Sequence, residues 1–394
     1  MSRILAGRSL GILGGGQLAR MLALRAHDLG IEARVFCENA SDPAAQVVRH
    51  WSPGSLNDPA QLEAFLRTCD VVTFESEFLD AALLARLQKR AGCAIYPRPA
   101  HMAVVQDRLS QKRLLARHRI PTAAFLPVSS FGQARAAWER FAPGGGMVLK
   151  KRRFGYDGYG TFIVRSREEL EALRLDVESS EHGFIAERLV RFRREAALMI
   201  VRGRKGPAAT FPLVETRQEA ARCLWVRGPL RLPAAKALAR KLARFVECIG
   251  YVGAMGVELF DAAEGLMVNE LAPRVHNSGH YSLDALEEDQ FTAHVKATMG
   301  LPVAPPRALA AGFAMLNLLG EDRRERPANR AKRAGRALGK PASPCWPISP
   351  GVALHWYGKL ESRPGRKMGH LNALGTTPNS ALRRLLAARK GLSV

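Results

Sequence analysis

Glu258 and Glu270 stand twelve residues apart in "GAMGVELFDAAEGLMVNELAPR". Each lies among apolar residues, in "VELF" and "VNEL", with an acidic, glycine-containing turn between them. The pattern predicts a β-hairpin carrying one glutamate on each strand. Carboxylates are rarely buried unless paired or metal-bound. Two that face each other repel, and a divalent cation relieves the repulsion. Magnesium suits such a pair, because it takes one or two carboxylates together with substrate phosphates. The competing reading is two edge-strand glutamates facing water. Asn269 and the following "APRVHNSGH" cluster polar and basic groups beside the acids and favour a site.

A second stretch, "VLKKRRFGYDGYGTFIV" (Val148 to Val164), opens and closes like a strand around Gly155, Gly158 and Gly160. Glycines permit backbone conformations that side chains forbid, so such a loop can fold over phosphates, with Lys150 pointing at their oxygens. A plain hairpin turn is the alternative. A third, Gly14-Gly15-Gly16-Gln17-Leu18-Ala19, falls between a strand and a helix, with Glu38 further on. It reads as an anion site at a helix N-terminus, a dinucleotide fingerprint, or a turn needed for strand–helix packing. A fourth, "HWYGKLESRPGRKMGH", gathers Lys359, Arg363, Arg366 and Lys367. That stretch is a nucleic-acid patch, an anion pocket or a solvated loop.

The elements that must position these groups follow from periodicity. "RSLGILGGG", "QLARMLALRAHDLG" and "IEARVFC" make a βαβ unit, with Gly30 at the helix C-terminus. "DVVTFESEF" and "CAIYPRPA" add strands, so the first hundred or so residues form a doubly wound α/β domain. "QDRLSQKRLLARHRI" is a basic amphipathic helix broken before Pro121. Strand signals follow at "GMVLKK", "GTFIV", "FIAERLV", "EAALMIVRG" and "AATFPLVET", with helices at "SREELEALRL" and "AAKALARKLARFVECIG". The last ninety or so residues predict a small β-containing unit interrupted by a basic loop at 323–340.

Length and composition set the limits. With 394 residues the chain holds two or three domains. No apolar run approaches the roughly 20 residues of a membrane span, and the start reads as a first strand rather than a signal peptide. The six cysteines form no CxxC pair, so neither a zinc site nor a disulfide framework is expected. A cytoplasmic setting fits them. The net charge of +23 attracts polyanions and phosphorylated substrates, or reflects a basic solvated surface. Nucleic acid is not the expected partner, because the basic helices lack interleaved aromatics.

Taken in order, "GILGGGQLARML", "KKRRFGYDGYG", "VELF…VNELAPRVHNSGHYSLDA", "LNLLGE" and "LHWYGKLESRPGRKMGHLN" resemble the 5-(carboxyamino)imidazole ribonucleotide synthases of the ATP-grasp superfamily, over nearly the whole chain. The resemblance implies an α/β and α+β architecture in three domains. These are an N-terminal doubly wound α/β substrate-binding domain (1–105), a central ATP-grasp module of two α+β subdomains (106–301) and a small C-terminal β-containing domain (302–394). It implies a homodimer, with ATP and Mg²⁺ as cofactors and aminoimidazole ribonucleotide and bicarbonate as substrates. Bicarbonate attacks the γ-phosphate to give carboxyphosphate, and the exocyclic amine is then carboxylated, a purine-pathway step.

The resemblance also implies roles. Arg108 and Lys150 match ATP-phosphate contacts, and Gly155, Gly158 and Gly160 the flap. Glu187 and Val190 match the adenine hinge, Glu195 the ribose contact, and Asn269 the nucleotide side. Glu258 and Glu270 match the magnesium ligands. Gly15, Gln17, Leu18, Glu77, Arg274, Asn277, Ser278, Arg366 and Lys367 match the ribonucleotide and bicarbonate pocket. Tyr156, Asp157 and Lys359 are the implied catalytic groups, with Asp157 toward the substrate amine.

This chain departs from the family pattern in places. The basic residue after "YDG" is Tyr159, and the family's E-N-x-H is Glu215-Thr216-Arg217-Gln218. Arg152 and Arg153 are the candidates to stand in for the missing cation. The altered acceptor side leaves open an ATP-grasp ligase acting on a different amine or phosphorylated acceptor. An NAD-dependent enzyme would leave the paired glutamates unexplained.

Overall fold

The computed structural model describes residues 7–155, 159–320, 350–390 and 392. Tyr156, Asp157 and Gly158, and the basic 323–340 segment, lie outside the described residues. Strands β1 (Ser9–Leu13), β2 (Glu32–Cys37), β3 (His50–Pro53), β4 (Val71–Phe74) and β5 (Ala94–Ile95) form a parallel sheet in the order β3-β2-β1-β4-β5. β1 and β4 are buried along their whole length. That is why "SLGIL" and "VVTF" are nearly continuous apolar runs rather than alternating ones. The chain order reverses at β1, and an open parallel sheet binds ligands in the crevice beyond its strands' C-terminal ends at that point. The first helix (Gln17–Asp28) starts there and buries Leu18, Ala19, Leu22 and Ala26.

A second sheet is antiparallel: β6 (Phe125–Val128), β7 (Met147–Lys151), β8 (Thr161–Val164) and β9 (Phe184–Arg188), in the order β6-β9-β7-β8. The helix Phe131–Phe141 buries Phe131, Ala134, Ala137 and Phe141 in one core with Met147, Leu149 and Phe184. This small α+β unit carries Lys150 and the glycine loop.

The third sheet contains β10 (Phe192–Arg202), β11 (Ala209–Thr210), β12 (Val214–Glu219), β13 (Arg222–Gly228), β14 (Gly253–Ala262), β15 (Gly265–Ala272), β16 (Gly312–Leu319), β17 (Val352–Trp356) and β18 (Lys367–Gly375). Its order is β15-β14-β10-β12-β13-β16-β18-β17, with β11 on β10. "AATFPLVET" gives two strands rather than one, because Pro212 between them has no N–H for a ladder. The C-terminal strands join this sheet through antiparallel pairing of β13 with β16. One sheet therefore crosses the boundary expected at 301. The C-terminal part adds its own core, in which Leu382 and Leu385 of the helix Pro378–Arg389 pack with Leu316 and Leu371.

Two of the ties between the N-terminal domain and the rest are hydrogen bonds far apart in sequence. Thr73 Oγ1 and His294 Nε2 are 2.7 Å apart, both buried. Gln46 Nε2 donates to the carbonyl of Gly358 at 2.9 Å, which anchors the backbone next to Lys359. Among the described residues no helix is long and apolar enough to cross a membrane.

Candidate active site

The β14–β15 hairpin places Glu258 directly opposite Glu270, and the next pair is Leu259 with Val268. Asn269 is thus an extra residue, a β-bulge. In a regular strand adjacent side chains point to opposite faces. The bulge re-aims the strand, so that Asn269 and Glu270 both line one cleft with Glu258. Glu258 keeps 35% of its side-chain surface open. Desolvation by the cleft walls, then the carboxylates of Glu270 and Glu195, push its carboxyl up to about 7. His276 Nε2 lies 3.6 Å from Glu258. Burial, then the Arg274 guanidinium, pull that imidazole down to about 3, so it is a neutral neighbour.

Arg108 and Lys150 reach the cleft on the other side. Arg108, at the start of the helix Arg108–Arg117, donates to Glu270 at 3.3 Å and to the carbonyls of Lys151 and Gly155 at 3.3 Å. One guanidinium therefore joins the hairpin to the base of the glycine loop. Lys150, on β7, donates to Glu187 Oε2 at 3.1 Å and to Asn269 Oδ1 at 3.0 Å. Glu187 also meets Lys112, whose Nζ is 3.2 Å away. Burial works against the Glu187 carboxylate, and the Lys150 and Lys112 ammoniums overcome it, holding its carboxyl below the usual range.

The N-terminal domain and the C-terminal strands supply the third wall. At the first helix Glu75 accepts from the N–H of Gly16 at 2.5 Å and of Ala19 at 3.0 Å. The close packing here needs glycine: a Cβ on Gly14, at φ +107°, would come within 2.7 Å of Glu75. Glu77 pairs with Arg274, whose Nη2 donates at 2.9 Å. Burial raises the Glu77 carboxyl and Arg274 more than offsets it, so the pair stays charged. Asn277 and Asn317 exchange two hydrogen bonds, at 3.0 and 2.7 Å. Lys359 donates to the carbonyl of Lys367 at 2.7 Å. Burial, then Arg366, bring the Lys359 ammonium down to about 8.

These walls enclose a cleft of about 1020 Å³. Of the residues expected from sequence, Gln17, Leu18, Glu77, Arg108, Lys150, Gly155, Glu187, Val190, Glu195, Glu258, Asn269, Glu270, Arg274, Asn277 and Lys367 all line it. Ser278 lines a small adjoining cavity with Glu258 and His276. Gly15, Gly160, Lys359 and Arg366 stand back from the cleft. Gly15 packs against Asp42 and Cys37, and Gly160 against the Lys151 stem. Arg366 turns to the carbonyl of Glu361 at 2.9 Å. Tyr156, Asp157 and Gly158 lie outside the described residues.

Arg152 is committed elsewhere. It makes a two-pronged ion pair with Asp107, at 3.1 and 2.5 Å, and Asp107 also caps the helix Arg108–Arg117. Arg153 faces the same carboxylate at 3.8 Å. Both guanidiniums are thus drawn to Asp107. Tyr159 itself is 59% exposed and sits under the Lys151 ammonium, 5.2 Å from the ring centre. Thr216 and Gln218 both line the cleft beside Glu195. Lys112 and His276 are site neighbours given no role from the sequence, His276 being named there only within "APRVHNSGH". The i, i+4 spacing of Lys112 from Arg108 was the signal available for the first.

Known protein families match three consecutive stretches of the chain. A ribonucleotide synthetase preATP-grasp domain matches residues 8–106, an ATP-grasp domain 113–291, and a phosphoribosylaminoimidazole carboxylase C-terminal domain 314–384. The chain is 40% identical over 365 residues to N5-carboxyaminoimidazole ribonucleotide synthase of Synechococcus elongatus, spanning 92% of this chain and 88% of that protein. It is 34% identical to phosphoribosylaminoimidazole carboxylase of Saccharomyces cerevisiae over 96% of this chain, but only 65% of that longer protein. Among solved structures, N5-carboxyaminoimidazole synthetase of Staphylococcus aureus complexed with ADP superposes with a TM-score of 0.85 at 28% identity, covering 97% of each chain. The Aspergillus clavatus synthase in complex with ADP and 5-aminoimidazole ribonucleotide gives 0.80 at 28% identity, covering 97% of this chain and 98% of that one. With its fold and its relatives in agreement, the chain belongs to the N5-carboxyaminoimidazole ribonucleotide synthase family and is built on an ATP-grasp module.

Proposed function

We propose that this protein catalyses the ATP- and bicarbonate-dependent carboxylation of 5-aminoimidazole ribonucleotide on its exocyclic amine, in purine biosynthesis. The observation that carries the reading is one cleft in which Lys150 and Arg108, the Glu258–Glu270 pair, and Arg274, Asn277 and Lys367 converge from separate sequence segments. A family member of the same fold has been solved with ADP and the aminoimidazole ribonucleotide together.

The chemistry is phosphoryl transfer followed by acyl transfer. A bicarbonate oxygen attacks the γ-phosphorus, the bond to ADP breaks, and carboxyphosphate forms. The amine nitrogen then attacks the carboxyl carbon and inorganic phosphate leaves, the amine giving up one proton. Such a reaction is accelerated mainly by positioning and charge neutralisation. Arg108 and Lys150 supply positive charge at the phosphates, with Asn269 holding Lys150. Glu187, Val190 and Glu195 form the nucleoside side. Arg274 is held by Glu77 as a rigid fork, suited to the planar bicarbonate. Lys367, Asn277 and the first turn of the helix at Gln17–Leu18 take the ribonucleotide, with Lys359 behind them, its ammonium on the Lys367 carbonyl.

The two facing carboxylates, with Glu258 pushed toward neutrality by desolvation and then by its acidic neighbours, are a donor set that magnesium fits. Glu258 and Glu270 would hold the ion, which would neutralise phosphate charge. We propose in addition the domain limits 1–105, 106–301 and 302–394, a cytoplasmic homodimer, and no nucleic-acid partner. Incubation with MgATP and bicarbonate, with and without the ribonucleotide, tests the function through ADP release.

A further inference from the structure

Lys112 has no part in the reading above, yet it touches the nucleotide-side carboxylate. It lies one helical turn beyond Arg108, with 2% of its side-chain surface exposed against 12% for Lys150. Both ammoniums sit on the same oxygen of Glu187: Oε2 is 3.2 Å from Lys112 and 3.1 Å from Lys150. The other oxygen, Oε1, is buried with no partner among the described residues. Lys112 is fixed in place by two further acceptors. It donates to Thr122 Oγ1 at 2.6 Å and to the Val268 carbonyl at 3.5 Å. Thr122 in turn donates to that same carbonyl at 2.7 Å. Lys150, by contrast, lines the open cleft.

We infer that Lys112 is a positioning residue, the fixed counter-charge of Glu187 that leaves Lys150 free to serve the phosphates of the nucleotide. The inference rests on the reading of Lys150 as a phosphate contact. A buried carboxylate stripped of its only cation is strongly disfavoured, whereas one that keeps a paired cation is tolerated. With Lys150 as sole partner, Glu187 would hold it back, and every ångström Lys150 moved toward a phosphate would expose the carboxylate to an apolar, unpaired state. With Lys112 locked on Oε2, Glu187 stays neutralised wherever Lys150 goes. Of the two cations on this carboxylate oxygen, Lys150 lines the cleft and Lys112 does not.

The test measures MgATP binding by calorimetry, turnover and thermal stability for the wild type, Lys112→Met, Lys150→Met, Glu187→Gln and Lys112→Met/Glu187→Gln. Lys112→Met should weaken MgATP binding about tenfold or more, equivalent to about 1.4 kcal/mol. Its kcat at saturating MgATP should stay within about threefold, because the bound state still has Lys150 on the phosphates. On the Glu187→Gln background the same substitution should change the dissociation constant by less than about twofold, since the charge it served is gone. A merely structural Lys112 would lower thermal stability and leave MgATP binding unchanged, which would overturn the inference. If Lys112→Met does not fold alone, the Glu187→Gln pair decides: a larger change there overturns it. Unweakened binding by Lys150→Met would instead refute the phosphate reading itself, whereas a weakened Lys150→Met with an unaffected Lys112→Met would sink only the role of Lys112.

Discussion

Glu258 and Glu270 face each other across the β14–β15 ladder, and the ladder slips by one residue immediately beyond them. The slip delivers Asn269 to the same cleft and leaves the two carboxylates unequal. Arg108 stands 3.3 Å from Glu270. Glu258 has the neutral His276 as its near neighbour, and its carboxyl is pushed up to about 7 by desolvation and then by Glu270 and Glu195. A pair that the protein alone leaves under-neutralised is a pair suited to a divalent cation.

Glu270→Gln is therefore expected to remove most magnesium-dependent turnover, by about 10²–10³-fold in kcat, the scale of losing one oriented electrostatic group. The fold should survive, because Glu270 is 37% exposed by side chain. Turnover against magnesium concentration, with circular dichroism as the control, checks this. Undiminished turnover would remove Glu270 from the metal site.

Lys359 sets a pH dependence. Burial, then Arg366, bring its ammonium down to about 8 in the free protein. A bound ribonucleotide phosphate, fully ionised above its second pKa of about 6, favours the charged ammonium and raises that value. Binding therefore takes up a proton above pH 8 and none below it. The KM for the ribonucleotide should be flat from pH 7 to about 8 and then rise, by up to about tenfold per pH unit. In Lys359→Met it should be high and flat over the same range. A wild-type KM that falls above pH 8 would exclude Lys359 as a charge, set behind Lys367, that the bound substrate feels.

Asp107 does two jobs at the root of the glycine loop, capping the helix Arg108–Arg117 and gripping Arg152. Asp107→Ala should cost about 2–4 kcal/mol, combining a lost cap with a stranded, largely buried partner. It should also raise the KM for ATP, because Arg108 and the loop share this anchor through the Arg108 N–H to Arg152 carbonyl bond. Denaturant melts and ATP titrations report the two effects separately. A stable variant with normal ATP use would show that the anchor is dispensable.

Tyr159 is 59% exposed, so Tyr159→Arg should change stability by no more than about 0.5 kcal/mol. Arg152 and Arg153 both face Asp107, and the Lys151 ammonium lies 5.2 Å from the Tyr159 ring centre, so the added arginine would supplement the cation already beside this position. Ribonucleotide-dependent ADP release should rise by up to about tenfold, a fraction of what an oriented charge contributes at a transition state. A fall in rate would mean that the tyrosine itself serves the acceptor.

Much of this site was legible in the sequence because chemistry-bearing residues sat beside strong secondary-structure signals. The acidic turn predicted the hairpin that makes Glu258 and Glu270 face each other. "SLGILGGGQLARML" predicted the strand, turn and helix that present Gln17 and Leu18. What stayed hidden was tertiary. Alternation along β15 gives no hint of the bulge at Asn269, which depends on pairing with β14. Arg152 looked available until Asp107, forty-five residues earlier, was found against it. The C-terminal strands looked separate because a sequence cannot show that β16 adds to the open edge of β13. Lys112 read as one more charge on a basic helix, and only burial against Glu187 distinguishes it.

The most direct test of the central claim is ADP release from MgATP and bicarbonate, measured with and without 5-aminoimidazole ribonucleotide. Stimulation by the ribonucleotide, lost when bicarbonate is withheld and lost again in Glu270→Gln, is the result expected here. ADP release that is indifferent to the ribonucleotide would contradict it and point to a different acceptor in the same cleft.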